Sequence, residues 1–377
     1  MNTISNSQDK GSEKIFSIVV SVYNKVNYLE RMMSSVLSQS FLNFELILID
    51  ACSTDGSYEY LEKFNDPRIV LIKQPNMGVS VAKNYGVFVS SGKYIAFLDA
   101  DDYWEKGFLE EIVRLLSKYH GYEAYITGYK RIWKNHTDIV QYENKCADGI
   151  ANDYFKNRVN GWGVHTSSVV VTKDIFNRVG GFPFLLGSRI VGKSWLVNCN
   201  GETLSEISSY SLDSGSVGLN RSFLLIPQPL ESIVDLEVAL PDIPAEDQFM
   251  HDSVALVSDF IYSSKILSNW DGDVSNQMTT IKRKPVIHPH LFAMCAVLSS
   301  NKYKVCQSHI KNYVKYLTVS FLQKVKQLPS ADRKIIIRFH GLHAVGINSY
   351  LGLFVTSYLT KIKLRIRRIS IKLSPKV

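Results

Sequence analysis

The chain has 377 residues, 45% hydrophobic and 21% charged, which is enough for a full α/β domain with a smaller appendage and excludes a disordered protein. Five cysteines (Cys52, Cys146, Cys199, Cys295 and Cys306) form no CxxC pair, which argues for a reducing compartment and against both a disulfide framework and a zinc site. The formal charge of +8 is unevenly spread: residues 282–377 hold 19 of the 43 Lys and Arg and the single acid Asp332, so an acidic body carries a strongly basic tail.

Residues 1–14 are polar, lack the apolar core of a signal peptide and read as a disordered lead. IFSIVVSVY (15–23) predicts a first strand, rich in β-branched and aromatic residues, and Asn24 to Asn27 a turn. From Tyr28 to Ser40, Leu29, Met32, Met33, Val36 and Leu37 recur at helical spacing, the pattern of a helix packing back on a sheet. FELILID (44–50) predicts a second strand ending at Asp50, followed by the turn residues Ser53 to Ser57. RIVLIK predicts a third strand, and Val79 to Phe88 a helix after the break at Gly78. Strands alternating with helices at this pitch predict a parallel sheet with right-handed crossovers.

The fourth strand is the one that points to chemistry. KYIAFLDADD (93–102) is an apolar run that stops at Asp99, Asp101 and Asp102. Carboxylates crowded at a strand end are costly without a cation between them, and the carboxyl ends of strands are where open α/β sheets bind ligands. A hard divalent cation carrying a phosphate suits such a place. The plainer alternative is a solvated strand-to-helix turn with Asp as its cap.

The order SIVVSVYN, LIDACSTDGS, NMGVSVAKNYG, FLDADD resembles the nucleotide-sugar-binding half of family 2 glycosyltransferases, which adopt the GT-A fold, an α/β Rossmann-like sheet with helices on both faces. The likeness covers roughly 110 residues, weakens beyond Gly181 and is absent from the tail. It implies a GT-A domain over 15–281, a basic and mainly helical tail over 282–377, and inverting transfer of a sugar from a nucleotide donor, UDP-linked, to a glycan or lipid-linked acceptor in cell-surface polysaccharide synthesis. It further implies a donor site of Val22, Tyr23, Asn24, Asp50, Lys83, Asp99 and Ala100, with Asp101 and Asp99 holding Mg²⁺ or Mn²⁺. An aromatic ring can stack on a pyrimidine and a carboxylate can accept the uracil imide N–H, as Tyr23 and Asp50 would; a core tyrosine and a helix cap are the alternatives. The usual turn carries a second Asp or Asn and a Gly where this chain has Ala51 and Cys52. Lys83 and Asn84 could reach phosphate or sugar hydroxyls, or Lys83 could face solvent; Asp102 reads as the cap of a helix from Trp104 onward.

YEAYITGYKRIW predicts a fifth strand, and GWGVHTSSVVVT resembles the family's acceptor-side strand, with Trp162 and His165 as acceptor contacts or, alternatively, a core Trp and a surface His. KDIFNRVGGFP matches the family's helix and Gly-Gly-Phe turn. In register from Gly180, with Trp195 as the downstream Trp, the family's Glu-Asp pair falls on Ile190 and Val191, neither of which can act as a base. Three readings stay open: Glu246 and Asp247, in IPAEDQFMHD, supply the catalytic pair; Glu202, Glu206 or Asp213 does; or the domain is a non-catalytic nucleotide-sugar-binding or scaffold protein.

In the tail, Leu342 to Leu359 is marginal as a membrane span. Beyond it Ile362, Ile366, Ile369 and Leu373 share a helical face flanked by Lys361, Arg365, Arg368 and Lys372, which suits an anionic membrane surface. A solvated helical bundle is the alternative; no nucleic-acid motif is present, so no nucleic-acid partner is expected. The expected location is cytoplasmic, peripheral to the inner face of the cell membrane.

Overall fold

Two faces of apolar side chains on β1 (Phe16–Val22) organise the first unit. In the computed structural model, residues 14–76, 78–142, 147–160, 162–182, 194–198, 203–207, 223–226, 246–274, 308–313 and 316–317 are described. After β1 come α1 (Val26–Leu37), β2 (Phe44–Asp50), α2 (Ser57–Leu61), β3 (Ile69–Lys73), α3 (Val79–Val89), β4 (Tyr94–Phe97), β5 (Tyr103–Trp104) and α4 (Phe108–Lys118). The chain continues through β6 (Ala124–Trp133), β7 (His136–Val140), β8 (Gly149–Ile150), α5 (Tyr154–Val159), a 3-10 turn (Thr166–Ser168), β9 (Val169–Thr172) and α6 (Lys173–Val179). Then follow β10 (Ser194–Asn198), β11 (Thr203–Ile207), β12 (Phe223–Ile226), α7 (Glu246–Ala255) and β13 (Phe260–Asp271).

A ten-stranded sheet runs β3-β2-β1-β4-β9-β6-β13-β5, with β7 on β6 and β8 on β13; β11-β10-β12 form a separate three-stranded sheet. The alternation of side chains along a strand explains the layers. Phe16, Ile18, Val20 and Val22 pack with Leu29, Met32, Met33 and Val36 of α1 and with Phe108, Ile112 and Leu115 of α4. On the other face Ile47 and Ile49 pack with Ala82 of α3. Each such side chain contributes about 1.5–3 kcal/mol on burial. α3 lies so close to the sheet that a Cβ on Gly86 would meet Val19 Cγ1 at 2.4 Å, so only glycine fits there.

The parallel expectation holds for β3, β2, β1 and β4, is interrupted at β9, and returns where β6 pairs parallel with β13. β9 enters antiparallel between β4 and β6, since an apolar run such as Val169–Thr172 reads the same in either direction. Asp102 does not cap a helix starting at Trp104. Trp104 lies in β5, paired with Ser268 of β13, and α4 begins at Phe108 after Gly107, with no side-chain cap. The Trp104 ring stacks on Phe108 at 4.1 Å, which draws it into the core before the helix can start.

The chain divides into two compact units, Met1–Thr280 and Ile281–Val377. In the second, 308–313 is helical, Ile310 and Tyr313 are buried, and Tyr313 stacks on Tyr316 at 6.3 Å. Among the described residues no helix is long and apolar enough to cross a membrane. Residues 1–13 of the lead expected over 1–14, Ile190 and Val191, Glu202, Asp213, the Leu342–Leu359 segment and the stretch after it lie outside the described residues.

Candidate active site

The carboxyl ends of β1, β2 and β4 meet at one edge of the sheet. At the first two, the chain closes a corner. Asn24 (φ 52°) and Cys52 (φ 53°) both adopt the left-handed conformation, the Asn24 N–H donates to Ser53 Oγ at 3.0 Å, and Asn24 Oδ1 accepts from the Thr54 N–H at 2.8 Å. Val22 faces Asp50 across the β1–β2 register and its carbonyl accepts from the Ala51 N–H. Asp50 is fully buried; one carboxylate oxygen accepts from the Ser53 N–H at 3.0 Å, and Oδ1 has no hydrogen-bond partner. Such an orphan acceptor costs about 1–3 kcal/mol, so Asp50 carries unused capacity for a donor N–H. Tyr23, beside it in sequence, is 47% exposed.

At the end of β4 each acid has a cation. Lys83, on the first turns of α3, is buried and its Nζ lies 2.7 Å from Asp99 Oδ1, so it does not face solvent. Burial alone would raise the Asp99 carboxyl, but Lys83, His165 and Lys25 together hold it below the ordinary value. Lys25 Nζ lies 2.8 Å from Asp101 Oδ2, and Arg31 Nη2 donates to the Asp101 carbonyl at 2.9 Å and to Asp271 at 2.7 Å. Ala100 is buried between the two acids. Asp102 turns the other way: His165 Nε2 is 2.6 Å from Asp102 Oδ2, and the Ser167 hydroxyl donates to the same oxygen at 2.5 Å. Burial and the neighbouring carboxylates raise the Asp102 pKa, and Asp102, Asp99 and Asp247 raise that of His165 against its burial. The close contact requires one proton, and these acid-rich surroundings favour keeping it.

The candidate base stands nearby. Asp247 lies in the first turn of α7, 3.4 Å from Thr166 Oγ1, and Thr166 follows His165 directly. The Glu246 side chain lies outside the described residues, and Glu206 falls opposite Trp195 in the smaller sheet. Trp162 packs edge-to-face on Tyr142 at 5.0 Å and Tyr154 at 5.5 Å and lines a small cavity with Tyr129, the ring that meets His165. Asn84 is held by the chain itself: its amide donates to the Phe182 carbonyl at 2.8 Å and accepts from the Phe182 N–H at 2.9 Å. It thereby ties α3 to the Gly-Gly-Phe turn, where Gly181 (φ +67°) has room for no Cβ.

Sequence reasoning missed Lys25, Arg31 and Ser167. Lys25 had a signal, a cation at the carboxyl end of the first strand; Arg31 and Ser167 look like ordinary surface and turn residues. The donor set of Asp99 and Asp101, oxygen only and partly exposed, fits a hard cation that keeps water and phosphate among its ligands. Among the described residues no group of three or more His, Cys, Asp or Glu is arranged to hold a metal ion.

An acid cluster at the carboxyl edge of parallel strands, on a mixed sheet covered by helices on both faces, defines a GT-A-like α/β protein. Residues 17–178, from β1 through α6, match the model of Glycosyl transferase family 2. Glycosyltransferase GlyG of Streptococcus pneumoniae serotype 4 is 28% identical over 192 residues, covering 44% of this chain and 59% of the relative. UDP-Glc:alpha-D-GlcNAc-diphosphoundecaprenol beta-1,3-glucosyltransferase WfaP of Escherichia coli is 38% identical over 92 residues, covering 24% and 37%. The chain thus spans less than two thirds of these relatives. The crystal structure of S. aureus TarS 1-349 in complex with UDP-GlcNAc is alike in fold, with a TM-score of 0.58 at 16% identity over 86% of this chain and 79% of that one.

Proposed function

We propose that the chain is an inverting glycosyltransferase that moves a sugar from a UDP-linked donor to a glycan or lipid-linked acceptor in cell-surface polysaccharide synthesis. The observation that carries this reading is the pairing of Asp50, with its unpartnered buried Oδ1, and the acids Asp99 and Asp101 along one sheet edge. WfaP, whose name states a UDP-Glc donor and a diphosphoundecaprenol acceptor, supports the donor and the acceptor class.

Tyr23 stacks on the base, Asp50 accepts its N–H, and Val22 and Asn24 line the corner. Asp99 and Asp101 would hold a Mg²⁺ or Mn²⁺ ion, whose charge, when bound, offsets the negative charge building on the leaving diphosphate. Lys25 and Lys83 add fixed cations beside the same acids. Asp247 takes the proton of the acceptor hydroxyl as its oxygen bonds to the anomeric carbon; the sugar–diphosphate bond breaks on the opposite face, and its electrons leave on the diphosphate oxygen. Glu246 belongs to the same pair, and His165 and Trp162 stand on the acceptor side. The basic tail holds the protein to the cytoplasmic face of the membrane through anionic lipid.

The test is UDP binding and sugar transfer with the full chain, Asp101→Asn and Asp247→Asn. Asp101→Asn should weaken UDP binding in Mn²⁺ and abolish transfer; Asp247→Asn should leave UDP binding intact and lower transfer at least ~100-fold. UDP binding without transfer to any offered acceptor would favour the non-catalytic reading.

A further inference from the structure

A row of side chains leads away from Asp247 along β6 and has no part in the steps above. Alternate residues of a strand share a face, and Tyr129, Arg131 and Trp133 are such a set. The row begins at the site, with the Tyr129 ring 5.0 Å from that of His165. The Arg131 guanidinium lies 5.7 Å from the Tyr129 ring centre, with Nη2 3.5 Å from its hydroxyl. Trp133 stacks on His136 across the β6–β7 hairpin at 4.2 Å and meets Trp270 of β13 edge-to-face at 5.4 Å. Tyr129 to Trp133 spans about 13 Å of extended strand, the reach of a short oligosaccharide, not of one sugar.

The charge pattern along this row is distinctive. Arg68, Arg114 and Arg178 are each bonded to a carboxylate, of Asp66, Glu111 and Glu123. Among the described residues the Arg131 guanidinium lies within ion-pair distance of no carboxylate, although Asp138 is its cross-strand neighbour on β7, and its one side-chain hydrogen bond is to a phenol. A guanidinium fork beside aromatic rings can take a carboxylate or phosphate in two parallel hydrogen bonds, while the apolar face of a sugar packs on an indole.

We propose that Tyr129, Arg131 and Trp133, flanked by His136 and Trp270, form an acceptor subsite for an anionic glycan. Arg131 binds its carboxylate or phosphate group, and a neighbouring sugar ring packs on the Trp133–Trp270 pair. The acceptor role rests on the transferase reading with Asp247 as base; binding itself does not, and the two are tested separately.

The test is isothermal titration of the full chain with trigalacturonic acid, a glycerol phosphate oligomer, maltotriose and UDP. One or both anionic oligomers should bind at least ~10-fold more tightly than maltotriose, and the pair distinguishes carboxylate from phosphate. Arg131→Gln should remove most of that preference, and Arg131→Lys should fail to restore it, because a point charge cannot replace the fork. UDP affinity should stay unchanged in both variants, and matching thermal melts exclude misfolding. Equal binding of neutral and anionic oligomers, binding of none, or no effect of Arg131→Gln overturns the subsite while UDP binding leaves the donor reading intact. Arg131-dependent glycan binding without any UDP binding keeps the binding site and overturns the transferase reading.

Discussion

The Lys83 ammonium, buried beneath α3, lies 2.7 Å from the Asp99 carboxylate, which is 32% exposed at the end of β4. The pair joins a helix on one face of the sheet to the acid cluster at its edge, and the ammonium also lies 5.3 Å from the Phe182 ring centre. A buried ammonium needs its partner, whereas a partly exposed carboxylate can be rehydrated. Lys83→Met therefore removes the group that is costlier to bury, and the expected loss of stability is modest, about 1–2 kcal/mol in urea unfolding. Function should suffer more, since a fixed positive charge disappears from beside the proposed diphosphate site. UDP affinity by titration should fall roughly 10-fold or more.

Asp50→Asn should separate binding from stability in the opposite sense. Asn keeps an oxygen for the Ser53 N–H, which Asp50 Oδ2 accepts at 3.0 Å, and replaces a buried charged oxygen without a partner by a neutral amide N–H₂. Stability should hold or rise by up to about 1 kcal/mol. The amide N–H₂ would then face the donor N–H of a uracil, and UDP affinity should fall at least ~10-fold. Equal affinity in titrations of both proteins would remove Asp50 from the base pocket.

Much of this was legible from the chain because strand ends carry local signatures. FELILID is β2 to the residue, and the acids of FLDADD begin two residues beyond the end of β4. What was not legible are the partners that satisfy those acids. Asp102 looked like a cap because Asp before a helix usually is one, yet it is answered by His165, 63 residues away. Lys25 reaches Asp101 across 76 residues. Periodicity shows where an element ends and which face is apolar; it carries no information about which distant polar group a buried carboxylate will meet. For the same reason Asn84 read as a ligand-facing residue, although both its amide atoms are occupied by Phe182.

Asn84→Leu tests that structural role. It removes two hydrogen bonds to the Phe182 backbone and leaves a buried N–H and C=O unsatisfied, at a cost of about 2–4 kcal/mol. The Gly180–Phe182 turn loses its anchor to α3, and the Phe182 ring loses its fixed place near Lys83. Thermal melting should shift down by several degrees. UDP binding in the folded protein should weaken far less than in Lys83→Met; an equal loss would make Asn84 a ligand contact after all.

His251 contributes to the loss of stability in acid. It is buried on α7, one turn beyond Asp247, its Nε2 lacks a hydrogen-bond partner, and burial lowers its pKa to about 4. Asp247 and Asp252 oppose that shift, and the cations Arg158 and Lys83 reinforce it. The folded state thus binds this proton more weakly than the unfolded chain, where the pKa is 6.5. Stability contributed by the neutral imidazole is complete above pH 6.5 and is lost as pH falls from there toward 4, because the unfolded state takes up the proton first. The loss at pH 5 should be roughly 2 kcal/mol relative to pH 7.5, measured as a shift in the urea midpoint. His251→Phe, which keeps the ring volume without a titrating group, should abolish this part of the pH dependence. If its urea midpoints fall as steeply with pH as those of the parent chain, His251 is not the group that titrates.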